Sequence, residues 1–186
     1  MSKIKSISER VSYKDHDGYT TIVISTKIDR WKESLMLFWL MAWTACGLYF
    51  IYELAFNEFD RQTTIGLVII VAFWVYFEVR IGRAFLWRKF GVEFIKIDDG
   101  QVFYKRSIKS YGKAKVFFCD NIKEIQKIEK NNLNPLIFLE GSSWFIGGET
   151  IQFLHEGKIT QFGLQLNDKE RDKLLDTFKK KIKRNS

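Results

Sequence analysis

The sequence predicts an α+β membrane protein: a two-helix transmembrane hairpin, then a β-barrel or sandwich capped by a C-terminal α-helix. Three observations predict it. Two long apolar runs lie close together in the first half of the chain. Short β-branched and aromatic segments, punctuated by glycine turns, follow them. The last stretch carries an apolar stripe at helical spacing. The 186 residues are 46% hydrophobic and 16% aromatic, which excludes a disordered or collagen-like chain. Mean hydropathy is −0.16, too low for a polytopic membrane protein. Two distant cysteines, Cys46 and Cys119, build no disulfide scaffold, and no Cys/His cluster has zinc spacing.

From Leu35 to Tyr52 the chain reads LMLFWLMAWTACGLYFIY, eighteen residues without a charge. At ~1.5 Å per residue that is ~27 Å of helix, close to the ~30 Å hydrocarbon core. It follows 34 polar residues and no small-x-small site comes after it, so it is not read as a cleaved signal peptide. The second run, Ile65 to Phe77, is uncharged for thirteen residues. A helix over 64–84 would put Glu78 and Arg80 in its last turns, near the headgroups, where charged stems snorkel. A buried or re-entrant helix is the alternative for this segment. Ala42 and Cys46, small and four apart, are candidates for close helix approach.

Eleven residues, Glu53 to Thr63, join the two runs and hold one Arg against three acids. Lys27, Arg30, Lys32, Arg80, Arg83, Arg88 and Lys89 lie at the other ends. The positive-inside rule therefore puts both termini in the cytoplasm, in a cell (inner) membrane. Trp31, Arg83, Trp87 and Arg88 are the expected interface anchors there. Tyr49, Tyr52, Phe56 and Phe59 crowd the opposite interface.

The domain boundaries follow. Residues 1–33 read as a cytoplasmic β-hairpin, with Ile7, Val11 and Tyr13 on one arm and TTIVIST on the other. Asp17-Gly18 supplies its turn. Residues 34–86 hold the membrane hairpin, with spans of about 35–54 and 64–84. Residues 87–186 form the second cytoplasmic unit. Its strands read Glu93 to Ile97, Gln101 to Arg106, Lys113 to Cys119, a turn and strand over Asn121 to Lys130, Pro135 to Glu140, Ser143 to Ile146, Ile151 to Leu154 and Lys158 to Leu166. Val116 and Phe118 share one face of the third. Phe162, Leu164 and Leu166 point inward on the last. A helix over 167–184 closes the chain: Asn167 and Glu170 make a capping box, and Leu174, Leu175, Phe178 and Ile182 form its stripe. About seven antiparallel strands closed by such a helix form the pattern of a pleckstrin-homology-like (PH-like) barrel.

Residues 91–182 resemble a bacterial PH-like domain. GVEFIKIDDGQVFYKR, YGKAKVFF, DNIKEIQKI, IQFLHEGKITQFGLQL and LNDKERDKLLDTF follow that family's order. The whole architecture is similar to that of the photosystem I assembly protein family, a likeness of layout that does not extend to photosynthesis. What the resemblance implies is a binding fold with no catalytic residues and no cofactor. PH domains that bind phosphoinositides hold basic residues in the first hairpin, where this chain has Asp98-Asp99.

Nothing in the sequence reads as catalysis. There is no Walker loop, dinucleotide glycine pattern, HExxH or GxSxG. His16 and His155 fall in hairpin turns, and Cys119 reads as a small apolar filler. The net charge of +8 has a location. Residues 91–166 hold 10 basic and 9 acidic groups, whereas 167–186 hold 8 and 4. Basic charge thus gathers beside the apolar runs and in the tail, which suits an anionic bilayer at about 1 kcal/mol per cation near the surface. The balanced β-unit argues against nucleic acid. Lys105, Arg106, Lys109, Lys113 and Lys115 flank one bend and are candidate lipid-headgroup contacts. Trp144, Phe145 and Ile146, between glycine turns, are candidate contacts for a protein partner. The expected function is a bacterial membrane-anchored scaffold docking a partner. An anionic-lipid sensor and an accessory subunit of a transport or secretion complex are the alternatives.

Overall fold

The computed structural model describes residues 4–128 and 147–185, and within them the chain is α+β. Strands β1 (Ile4–Ser6), β2 (Val11–Asp15) and β3 (Tyr19–Ser25) precede two long helices, α1 (Arg30–Phe56) and α2 (Arg61–Phe90). Then come β4 (Gly91–Asp98), β5 (Gln101–Ile108), β6 (Ala114–Phe118), a 3₁₀ turn over Cys119–Asn121, β7 (Ile122–Lys127), β8 (Glu149–His155), β9 (Lys158–Leu164) and helix α3 (Asp168–Asn185). The strands expected over Pro135 to Glu140 and Ser143 to Ile146 lie outside the described residues, as do Trp144, Phe145 and Ile146.

The N-terminal strands do not form a separate unit. Sheet one runs β1-β2-β3-β4-β5-β6 and sheet two β7-β8-β9, all antiparallel. β3 pairs with β4 from Tyr19↔Asp98 to Ser25↔Val92, so the strand before the helices lies against the strand after them. β-Branched alternation drives this: Thr20, Ile22 and Ile24 of β3 are fully buried, as are Ile95 and Ile97 of β4. The barrel expected from sequence is not closed among the described residues. Two sheets face each other, and α3 packs at their margin through Leu174, Leu175, Phe178 and Ile182. The capping box of α3 is made: the Glu170 amide donates to Asn167 Oδ1 at 2.8 Å, and the Asn167 amide to Glu170 Oε2 at 3.1 Å.

Turn chemistry fixes the hairpins. Asp99-Gly100 and Glu156-Gly157 have positive φ at both residues, the primed geometry whose twist matches paired strands. In β6 the inward residue is Phe117, and Val116 and Phe118 are about half exposed. Cys119 leaves the strand for the 3₁₀ turn and fills a core position.

The helices are longer than the apolar runs, and only residues 57–60 connect them. Asp60 caps α2 by accepting from the amides of Gln62 and Thr63. The pair is held at three levels. Lys89 meets Glu33 at 3.2 Å, Thr44 donates to Glu78 at 2.9 Å, and Trp74 Nε1 donates to the Trp43 carbonyl at 3.0 Å. This register sets Glu78 against Thr44, midway along the uncharged run of α1. The second span read from sequence, 64–84, put Glu78 in its last turns; α2 instead runs from Arg61 to Phe90 and sets Glu78 well inside the helix. Gly47, buried beneath Trp74, makes the close approach, while Ala42 and Cys46 face outward.

α2 passes into β4 without a linker. At that junction the Thr26 hydroxyl lies 2.6 Å from the Trp87 carbonyl and 2.7 Å from the Gly91 carbonyl, fully buried. Thr26→Ala removes the buried hydroxyl these two carbonyls share and leaves them only the backbone amides of Gly91 and Thr26. We expect about 1–2 kcal/mol of destabilisation, read as a lower midpoint in chemical unfolding. Unchanged stability would show that the junction is not a fixed joint.

Candidate functional site

Sheet one has two distinct ends. The helix end carries the starts of α1 and β4 and the β5–β6 turn; Gly91 pairs with Ile108 there. The far end carries the turns at Asp17-Gly18 and Asp99-Gly100. α3 begins near the helix end and runs to the far end, where Lys181 binds Asp15. The basic tail read from sequence as a lipid reader is therefore placed away from the helices.

At the Asp15 contact, burial pushes the carboxyl up, but hydrogen bonds from Lys181 and Thr20 outweigh it and hold Asp15 below its usual value. A depressed carboxylate contributes stability that is complete above its unfolded value, about 3.9, and is lost as pH falls through the folded value. Asp15→Asn should flatten that part of the acid limb, checked by thermal melts between neutral and strongly acidic pH. An unaltered acid limb would remove Asp15 from the pH response.

The polar centre lies between the sheets, nearer the helix end. Glu93 is 0% exposed. Its Oε1 accepts from the Tyr104 hydroxyl at 2.9 Å and Arg106 Nε at 3.1 Å. Its Oε2 accepts from the amides of Gly163 at 2.8 Å and Leu164 at 3.2 Å. A β4 carboxylate thus binds the backbone of β9 and joins the two sheets. Arg106 extends the network through Nη2 to Glu149 at 2.7 Å. Arg10 makes a second join, donating to the carbonyls of Ser25, Leu164 and Gln165.

The electrostatics follow from this packing. Burial pushes the Tyr104 hydroxyl far above its ordinary value, and the neighbouring Glu93 charge adds to the effect. Burial disfavours the Arg106 cation, but Tyr104, Glu93 and Glu149 more than compensate, and it stays charged.

Beside this network lies a cleft of about 290 Å³ lined by Tyr104, Arg106, Lys113, Lys115, Glu149, Ile159, Thr160 and Gln161. The five basic residues grouped from the sequence separate here. Lys113 and Lys115 line the cleft with Arg106. Lys105 donates to the Ser110 carbonyl, and Lys109 sits 4.3 Å over the Phe90 ring. Of the four expected interface anchors, Trp31 and Arg83 are exposed, whereas Trp87 and Arg88 are 4% and 1% exposed. Those two face inward because the end of α2 packs into the β-unit instead of standing in solvent. Glu93, Arg10 and Glu149 were not singled out from sequence. Glu93 had a signal: it shares the two-residue period of Ile95 and Ile97, which puts a carboxylate on the core face.

His155 packs its ring 5.1 Å from Phe117, and His16 stacks 4.2 Å from Tyr19. No group of three His, Cys, Asp or Glu side chains among the described residues is arranged to hold a metal ion. Both long helices are apolar and long enough to cross a membrane, and their apolar windows are 11% and 6% buried. Large side chains such as Phe38, Met41, Ile69 and Phe73 face outward from them, each more than 60% exposed. No family model, curated protein or solved structure matches this chain.

Proposed function

We propose that this chain is a membrane-anchored, PH-like binding protein that docks a partner protein at the cytoplasmic face of a membrane. The observation that carries the reading is the β3–β4 pairing across the base of the helical hairpin. If the hairpin spans a bilayer, that pairing puts both flanks on one side, and the basic residues at that end make it the cytoplasmic side. The buried Thr26 joint and the absence of a linker before β4 hold the sheet at a set height. Such rigidity suits presentation of a surface. Within the bilayer Glu78 would face Thr44 rather than lipid, as an intramembrane carboxyl requires.

The presented surface is the outer face of β4–β6. Phe94 and Phe103 are half-buried there, Val116 and Phe118 about half exposed, and the four sit on neighbouring strands. An extended segment added along β6 would gain main-chain hydrogen bonds and these side-chain contacts. The test is gentle-detergent purification from native membranes, with the complex weighed and its components identified. We expect one partner in constant ratio, lost from Val116→Glu/Phe118→Glu while that variant still melts like the parent. The chain eluting alone, or a partner indifferent to the double substitution, would overturn the reading.

A further inference from the structure

We propose that the cleft between β5, β6 and β9 is an oxyanion site that takes a phosphate group. The acidic side chains beside the cleft already have their partners. Glu93 has four donors on its two oxygens, and Glu149 is engaged by Arg106. Both acids in the network are therefore matched by Arg106 and by backbone and tyrosine donors. The positive charge left over is at the rim. Lys113 and Lys115 are exposed, both line the cleft, and neither has a hydrogen-bond or ion-pair partner among the described residues.

Arg106 supplies geometry as well as charge. Its Nε and Nη2 are tied to Glu93, Tyr104 and Glu149, which leaves Nη1 with no protein partner among the described residues. The side chain is 34% exposed and lines the cleft. A guanidinium pinned on one edge and open on another is pre-organised for an oxyanion, and charge-assisted bonds of this kind are the strong ones. The two lysines add flexible donors, Lys115 from β6 on the parity of the inward Phe117 and Lys113 from the residue just before that strand. Two unpaired lysines and the open edge of Arg106, set around one small volume that Glu149 also lines, suit a tetrahedral group with several acceptor oxygens.

Size narrows the ligand. The cleft is near the lower bound of small-molecule sites, about 300 Å³. It accommodates a phosphate with a small substituent, and not a dinucleotide. The source is either the headgroup of an anionic lipid or a soluble phosphorylated compound. The site is distinct from the first hairpin of the β-unit, whose turn is acidic. It is also separate from the outer-face strip of Phe94, Phe103, Val116 and Phe118, so it stands or falls independently of partner docking.

The test is lysine-reactivity footprinting of the full chain in neutral detergent micelles, read by mass spectrometry. Three conditions are compared: no addition, inorganic phosphate, and micelles doped with phosphatidylglycerol. Lys123 and Lys169, exposed and away from the cleft, are the internal controls. Acylation of Lys113 and Lys115 should slow by at least about threefold on occupancy, since both amines become engaged in charge-assisted bonds. Protection by inorganic phosphate identifies a soluble source, and protection only by the lipid identifies a headgroup. Lys113→Gln/Lys115→Gln removes no described contact, so it should melt like the parent and lose phosphate or lipid binding measured by calorimetry. Equal reactivity under all three conditions, or undiminished binding by the double variant, would overturn the proposal.

Discussion

Glu93→Ala is expected to destabilise the folded chain by about 3–5 kcal/mol, the usual loss when one partner of a buried charge pair is removed. The reason lies in what remains. Without the carboxylate, the amides of Gly163 and Leu164 lose their acceptor between the sheets. The Tyr104 hydroxyl, 6% exposed as a residue, loses its ionic partner, and Arg106 keeps Glu149 as its one carboxylate among the described residues. Glu93→Gln is the sharper experiment, because it preserves the volume. Its amide offers one oxygen where two are needed, and its NH₂ would point a donor at donors on one side or the other. We expect the glutamine variant to lose at least about half of what alanine loses, since unsatisfied buried donors cost about 1–3 kcal/mol each. Thermal unfolding followed by tryptophan fluorescence reads both. A loss below about 1 kcal/mol for either, the scale of an ordinary exposed contact, would mean that Glu93 does not join the sheets.

Glu93 also shows where sequence reasoning reaches its limit. Local periodicity recovers the hairpin turns, the inward face of β9, the capping box and the stripe of α3, because each depends on residues within a few positions of one another. The β3–β4 pairing is different. Its partners are about seventy residues apart, from Tyr19↔Asp98 to Ser25↔Val92, with both long helices between them. Nothing in the alternation of either strand names the other. The same distance hides Arg10, two of whose three acceptors lie 155 and 154 residues away in sequence. The basic cluster was legible as composition and not as geometry. Five cations flank one bend, but Lys113 and Lys115 line the cleft with Arg106 while backbone and ring contacts occupy Lys105 and Lys109. Trp87 and Arg88 were misplaced because a Trp-Arg pair after an apolar run reads as an interface anchor. Here α2 continues past that run into the β-unit, and its last two turns become core.

The second large effect is expected at Gly47. A Cβ built there would lie 1.8 Å from the Trp74 ring, so even alanine cannot be accommodated in place. Trp74 must then swing away, and it gives up the hydrogen bond from its Nε1 to the Trp43 carbonyl as it does so. In water an apolar collapse would help to repack such a pair. In lipid that driving force is absent, because acyl chains are as apolar as the side chains, and association rests on close packing and interhelical hydrogen bonds. Gly47→Leu should therefore cost about 2–3 kcal/mol, the upper range for overpacking a well-filled interface, and Gly47→Ala somewhat less. The readout is the midpoint of SDS-induced unfolding of the full chain in mild detergent, followed by tryptophan fluorescence. Ala42→Leu is the control, since Ala42 faces outward and should tolerate the larger side chain. If Gly47→Leu and Ala42→Leu behave alike, the helices do not pack along this seam, and the stagger that sets Glu78 opposite Thr44 fails with it. If only Gly47→Leu unfolds early, the seam is real. The position of the sheet relative to the helical hairpin then follows from how α1 and α2 meet at this one glycine.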